Sequence, residues 1–128
     1  MTKKYINLYH YSTKDIDGAL SASHFGDNYF TANDKNVSSV NRLFFYDVPV
    51  PENLLRNSNY LYTCRINTAH IYDLRTDEKK LVNKYNGNIT LILRRIKRDF
   101  KGIIYRIGNY NIICLFNSIV PLKKEKLS

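Results

Sequence analysis

The sequence predicts an α+β domain built from small antiparallel sheets with two or three short helices. Short stretches in which apolar and polar residues alternate indicate strands, and one stretch near residue 90 has the apolar spacing of a helix. Pairs of glycine and asparagine separate these stretches, as turns require. The chain has 128 residues, the length of one domain, so we expect residues 1–128 to form a single domain.

The first predicted strand covers residues 5–11 and contains a histidine between two tyrosines, in the sequence NLYHYST. Successive side chains of a strand point to opposite sides, so His10 shares its side with the aliphatic residues Ile6 and Leu8. This position has two interpretations. His10 is either a core histidine whose hydrogen bonds are satisfied or a polar group at the rim of a pocket.

Six further segments have the pattern of strands. Residues 59–66 alternate cleanly between two sides, and the turn GNYN joins residues 102–107 to residues 112–116, which predicts a hairpin. The other three segments are residues 29–31, 43–48 and 70–74.

Three segments have helical signals. Residues 12–20 predict a short helix or a turn, and residues 76–87 predict a small helix with Thr76 as its N-cap. Residues 88–100 predict an amphipathic helix capped by Asn88. The apolar stripe of this last helix consists of Ile89, Leu93, Ile96 and Phe100, with Ile92 beside it.

The chain is basic, with a formal net charge of +9. Residues 94–106 contain six basic residues and one acidic residue. Such an excess attracts nucleic acid or an acidic protein, although a solvated helix face has the same composition. We predict that a macromolecular partner binds the cationic side of the third helix, formed by Arg94, Arg95, Lys97 and Arg98.

Several classes of function lack their signatures in this sequence. It contains no apolar run long enough for a signal peptide or a membrane span, and no P-loop or GxGxxG motif. Cys64 and Cys114 are not spaced as metal ligands, so we expect buried free thiols, a cytoplasmic location and no metal.

Four short segments occur in a characteristic order: YHYS at 9–12, GDNYFTAND at 26–34, IYDL at 71–74, and GIIYRIGNYNIICLFNSIVP at 102–121. This order resembles the ADP-ribosyltransferase-like family, in the branch with a His-Tyr rather than an Arg-Ser arrangement. In size and motif order the chain is also similar to small phage anti-CRISPR ADP-ribosyltransferases.

The resemblance implies an ADP-ribosyltransferase-like fold and mono-ADP-ribosyl transfer from NAD to a macromolecular target, either protein or nucleic acid. By position, His10 would hydrogen-bond the ribose, and the backbone of Tyr11, with Ser12 beside it, would bind the nicotinamide carboxamide. The walls of the nicotinamide pocket would be Tyr29, Phe30, Thr31 and, as a second aromatic wall, Tyr46.

The chain departs from the family where a carboxylate is usual. That place is occupied by GNYN, with Asn109 and Asn111 as the aligned residues, and we take Asn111, together with His10, as the candidate catalytic residues. An amide positions a nucleophile but does not stabilise a cation as a carboxylate does. The carboxylates that could substitute in space are Asp27, Asp73 and Asp99.

This departure leaves an alternative function open. The chain could be a catalytically inactive relative, or a basic binding protein that blocks a nucleic-acid or protein partner. A binding protein for single strands needs aromatic residues among its positive charges, and Tyr105 and Tyr110 lie beside Arg106.

Overall fold

Seven strands form one mixed sheet in this computed structural model, which describes residues 4–20, 43–49 and 58–127. Their order across the sheet is β4-β5-β6-β2-β1-β3-β7. The strands are β1 (Tyr5–Ser12), β2 (Leu43–Tyr46), β3 (Tyr60–Asn67), β4 (Ile71–Asp73), β5 (Gly102–Ile107), β6 (Tyr110–Leu115) and β7 (Lys123–Lys126). The helices are a 3-10 helix (Thr68–His70), α1 (Leu81–Lys84) and α2 (Ile89–Lys97).

Strand pairing is antiparallel throughout this sheet except between β4 and β5, which run parallel. Strands β5 and β6 form the predicted hairpin, and β1 pairs with β3 along its whole length. Strand β2 lies in the middle, where it pairs with β6 at each of its four residues and with β1 at one residue pair.

The predicted fold class is wrong, because the strands form one large sheet rather than several small ones. Strands make up 44% of the described residues and helices 17%, so this part of the chain is more sheet-dominated than the expected α+β fold with small sheets. The cause is β2, which joins the hairpin to β1 and β3. Alternation in the sequence identifies strands, but it does not show which strands pair.

Two further predictions concern segments that flank β1 and β2. Residues 13–20 contain no helix; the Ser12 hydroxyl accepts a hydrogen bond from the Lys14 N–H in a tight turn, and Leu20 bridges to Ile119. The predicted strand at residues 29–31 lies outside the described residues.

Apolar side chains cover both faces of the sheet. One, the helix face, packs against α2 through Ile103, Tyr105, Ile112 and Cys114. The other, which we name the Leu8 face, is formed mainly by Leu8, Phe45, Tyr62, Cys64 and Ile113.

Helix α2 confirms the predicted amphipathic helix. The side chain of Asn88 accepts a hydrogen bond from the N–H of Leu91 at 3.2 Å and caps its N-terminus. Ile92, Leu93 and Ile96 are buried against the sheet. Full burial of an aliphatic side chain contributes about 1.5–3 kcal/mol, so this stripe is sufficient to hold the helix on the sheet.

Helix α1 is capped differently from the prediction. Thr76 does not cap it, because its hydroxyl bonds to the carbonyl oxygen of Asp73. The carboxylate of Asp77 instead accepts hydrogen bonds from the N–H groups of Leu81 and Val82 and from the hydroxyl of Tyr72. Burial alone would raise the pKa of Asp77, but these hydrogen bonds outweigh it and lower that pKa.

We predict that Asp77→Ala lowers the free energy of unfolding by about 1–3 kcal/mol, because the variant leaves a buried tyrosine hydroxyl and two helix N–H groups without their acceptor. Because folding lowers the pKa of Asp77, its ionised carboxylate stabilises the folded state at pH values above 3.8, the ordinary pKa of this group. That stabilisation is lost as the pH falls through the lowered pKa. Urea titrations at neutral and acidic pH measure both effects.

The matched control for this prediction is the exposed neighbour Glu78. Glu78→Ala should change the free energy of unfolding by no more than about 0.5 kcal/mol. Equal losses in the two variants would show that the hydrogen bonds of Asp77 do not hold the α1 segment.

Candidate functional site

The sheet opens between its two central strands. Strands β1 and β2 pair at Tyr9 and Tyr46, and the described residues beyond this pair, 10–12 and 43–45, form no further bridge with each other. Strand β1 is held in the sheet by its full pairing with β3, and β2 is held by its full pairing with β6. We name this part of the β1–β2 pair, residues 10–12 and 43–45, the opening.

His10 lies in the opening and is half-buried. Its Nδ1 is 2.7 Å from the carbonyl oxygen of Phe44 on β2. A carbonyl oxygen only accepts hydrogen bonds, so Nδ1 carries the proton and Nε2 is the acceptor when the ring is neutral. The ring also lies 5.5 Å from that of Phe45 and 6.3 Å from that of Tyr62. These contacts fix the orientation of the imidazole.

The segment after β1 is anchored above this histidine by Tyr62. The phenol oxygen of Tyr62 accepts a hydrogen bond from the N–H of Ile16 at 2.6 Å and donates one to the carbonyl oxygen of Lys14 at 2.8 Å. Tyr62 is fully buried, so both of these bonds are shielded from water. The chain following Ser12 is thereby held on the Leu8 face, beside His10.

A pair of polar side chains lies on the same face. The Asn111 Nδ2 donates a hydrogen bond to the Asp47 carboxylate at 3.0 Å. Asn111 is two residues from Ile113 on β6, and Asp47 is two residues after Phe45, so both lie on the side of the sheet that carries His10.

The amide oxygen of Asn111 is buried and has no hydrogen-bond partner among the described residues. Leaving such an acceptor unsatisfied costs about 1–3 kcal/mol. Buried polar atoms are nearly always paired, and an exception in a folded protein commonly marks the place of a bound molecule or water. The oxygen therefore indicates where a donor group, such as a hydroxyl, would bind.

Two arginines belong to the same region as the Asp47–Asn111 pair. Arg106 is the cross-strand partner of Asn111 and thus shares its face of the sheet. Arg75 follows β4 and forms a two-point contact with Asp73, at 2.9 and 2.8 Å. The hydrogen bond that Arg75 donates to Asp73 raises the pKa of Arg75, and the charges of Asp73 and Asp47 add to this effect. Asp47 therefore lies within electrostatic reach of a guanidinium group.

The structure brings together only some of the predicted site residues. His10 and Asn111 share the Leu8 face. Tyr46 packs on the helix face, with its ring 6.2 Å from that of Tyr11 and 5.7 Å from that of Tyr110. The side chain of Tyr46 therefore does not line a pocket together with His10, whereas the backbone of Tyr11 lies at the opening. The predicted pocket residues Tyr29, Phe30 and Thr31 lie outside the described residues.

The predicted partner-binding residues belong to the opposite side of the molecule. Arg94, Lys97 and Arg98 are exposed on or next to α2, which covers the helix face. Arg95 is partly buried and forms an ion pair with Asp99 at 2.5 Å.

The carboxylate beside Asn111 is Asp47, which the sequence did not identify. Asp73 and Asp99, two of the suggested substitutes, are engaged with Arg75 and Arg95. Asp27 lies outside the described residues. Only the register between β2 and β6 places Asp47 next to Asn111, because the two residues are 64 positions apart in the chain.

No protein-family model, no curated protein and no solved structure matches this chain. Within the described ranges, no helix is long and apolar enough to cross a membrane. The same part of the chain contains no cluster of three or more metal-ligating side chains. Any account of function consequently depends on the geometry of the residues themselves.

We predict that Asn111→Asp destabilises the protein by about 1–3 kcal/mol at neutral pH, because two carboxylates would then lie about 3 Å apart. The repulsion raises the pKa of one of them above its unfolded value. Protonation at lower pH relieves the repulsion, so the penalty should shrink as the pH falls towards about 4. Urea titrations at both pH values measure it.

Asn109→Asp is the control, since it adds the same charge on the exposed turn of the same hairpin. It should be nearly neutral at both pH values. If the two variants behave alike, the side chain at position 111 does not face Asp47.

Proposed function

We propose that this protein is an NAD-dependent ADP-ribosyltransferase that modifies a macromolecular target. The observation that carries the proposal is the Asp47–Asn111 pair, with its unpartnered buried oxygen, on the sheet face that also carries His10. Hydroxyl groups of a ribose are donors that suit such an acceptor-rich site. The order of sequence segments described above gives independent support.

The proposed reaction is a displacement at the anomeric carbon of the nicotinamide ribose. The bond from this carbon to the nicotinamide nitrogen breaks, and its electron pair leaves with neutral nicotinamide. A nucleophile of the target forms the new bond to the same carbon and loses its proton to a carboxylate or to water. Positive charge develops on the sugar in the transition state, so a nearby carboxylate accelerates the reaction.

Each residue of the site has a role in this proposal. Asp47 supplies the negative charge, and Asn111 holds it in place while its own oxygen accepts a ribose hydroxyl. His10, oriented by its bond to the Phe44 carbonyl, binds the sugar through the opposite side of its ring. Arg75 and Arg106 offer positive charge for the diphosphate.

The proposal places this reaction in the cytoplasm. Cys64 and Cys114 are both buried and form no disulfide, and burial raises the pKa of the Cys64 thiol to about 12. Thiols of this kind are typical of a reducing compartment.

We predict that NAD stabilises the wild-type protein against heat and that His10→Ala weakens NAD binding about 3–10-fold, the value of one hydrogen bond. Ligand at 100 times its dissociation constant adds about 2.7 kcal/mol of stability. Calorimetry and thermal unfolding measure the two quantities. His70→Ala is the matched control, because His70 is exposed at the end of the 3-10 helix.

We predict further that Asp47→Asn retains NAD binding but lowers ADP-ribosyl transfer about 10²–10³-fold, because the isosteric amide removes only the charge. Radiolabelled NAD with a cell lysate measures transfer, and Asp99→Asn, just after the end of α2, serves as the control. Absence of NAD binding by the wild type would overturn the proposal. Equal labelling by the wild type and Asp47→Asn would exclude this carboxylate.

A further inference from the structure

The basic residues of this chain are concentrated in one segment. Residues 75–106 contain ten basic and three acidic residues, which gives +7 of the formal net charge of +9. Two of the three acids are engaged, Asp77 in the cap of α1 and Asp99 in its ion pair with Arg95. The segment therefore presents an excess of positive charge that its own acids do not neutralise.

The exposed cations of this segment are neighbours in space. Arg94, Lys97 and Arg98 are three and four positions apart and lie along one side of α2, opposite the buried Ile92, Leu93 and Ile96. Lys79, in the turn before α1, lies near the end of α2, because its N–H donates a hydrogen bond to the Tyr72 hydroxyl at 3.0 Å and the Tyr72 ring lies 5.3 Å from that of Phe100, two residues after Arg98. We name these four residues, Lys79, Arg94, Lys97 and Arg98, the basic surface.

Three members of the basic surface lack a counter-ion. Within the described residues, no carboxylate lies within ion-pair distance of Lys79, Lys97 or Arg98. Basic residues at the C-terminal end of a helix interact favourably with the helix dipole, but this interaction contributes only about 0.3–1 kcal/mol. It does not account for Lys79, which lies outside α2.

We propose that the basic surface binds nucleic acid through its phosphate backbone. Phosphate contacts require cations and little else. A protein partner would need a buried apolar core with aromatic anchors, whereas the exposed large apolar side chains nearby are only Val82 and Leu91 within the described residues. The inference deepens the proposed function by naming the class of target. Nucleic-acid binding is tested in the absence of NAD, so this inference and the proposed transferase activity can each fail independently of the other.

The experiment is a fluorescence anisotropy titration of labelled nucleic acids of about 20 nucleotides, single-stranded and duplex, over a range of salt concentrations. The wild type is compared with the triple variant Arg94→Gln, Lys97→Gln, Arg98→Gln. Each lost phosphate contact reduces the slope of log K against log salt by about 0.7–0.9, so the triple variant should reduce it by about 2–3.

The matched control is the triple variant Lys4→Gln, Lys14→Gln, Lys126→Gln, which removes the same charge from exposed positions elsewhere. It should retain the wild-type slope. If both triple variants lose the same amount of slope, binding depends only on net charge and the proposal is overturned. So would salt-independent binding, or tighter binding of polyglutamate than of nucleic acid. If the triple variant unfolds, the single variants Lys97→Gln and Arg98→Gln should each reduce the slope by about 0.7–0.9.

Discussion

The rest of this structure depends on the pairing of the four-residue strand β2. On one side it pairs fully with β6, which carries the hairpin; on the other its one ladder pair with β1 among the described residues is Tyr9–Tyr46, beside the hydrogen bond between His10 and Phe44. Its side chains Leu43 and Phe45 are buried on the Leu8 face, and each contributes about 1.5–3 kcal/mol. Apolar packing by these two side chains therefore replaces the backbone bonds that β2 does not form with β1.

The same incomplete pairing creates the candidate site. Where β1 and β2 form no further ladder pair, the carbonyl oxygen of Phe44 instead bonds the ring of His10. The buried oxygen of Asn111 is a second local cost. Features that reduce stability persist where a protein uses them, and here they lie on one face of the sheet.

Local features were predictable from the sequence, and non-local ones were not. The alternation that puts Tyr62, Cys64 and Ile66 on one side of β3, the Asn88 cap and the β5–β6 hairpin all depend on neighbouring residues. The joining of the strands into one sheet and the contact between Asp47 and Asn111 depend on register. Alternation specifies the side to which a residue points but not its partner, which explains both the wrong fold class and the missed carboxylate.

The two proposed surfaces lie on opposite faces of the sheet, and this constrains how one nucleic acid could use both. From β2 the β4 edge is three strands away, about 14 Å, and Arg75 follows β4 at that edge. A duplex is stiff over about 150 base pairs and cannot turn round an edge of this size. A single strand bends freely over a few nucleotides, so a target that contacts the basic surface and also reaches Asp47 must be single-stranded there.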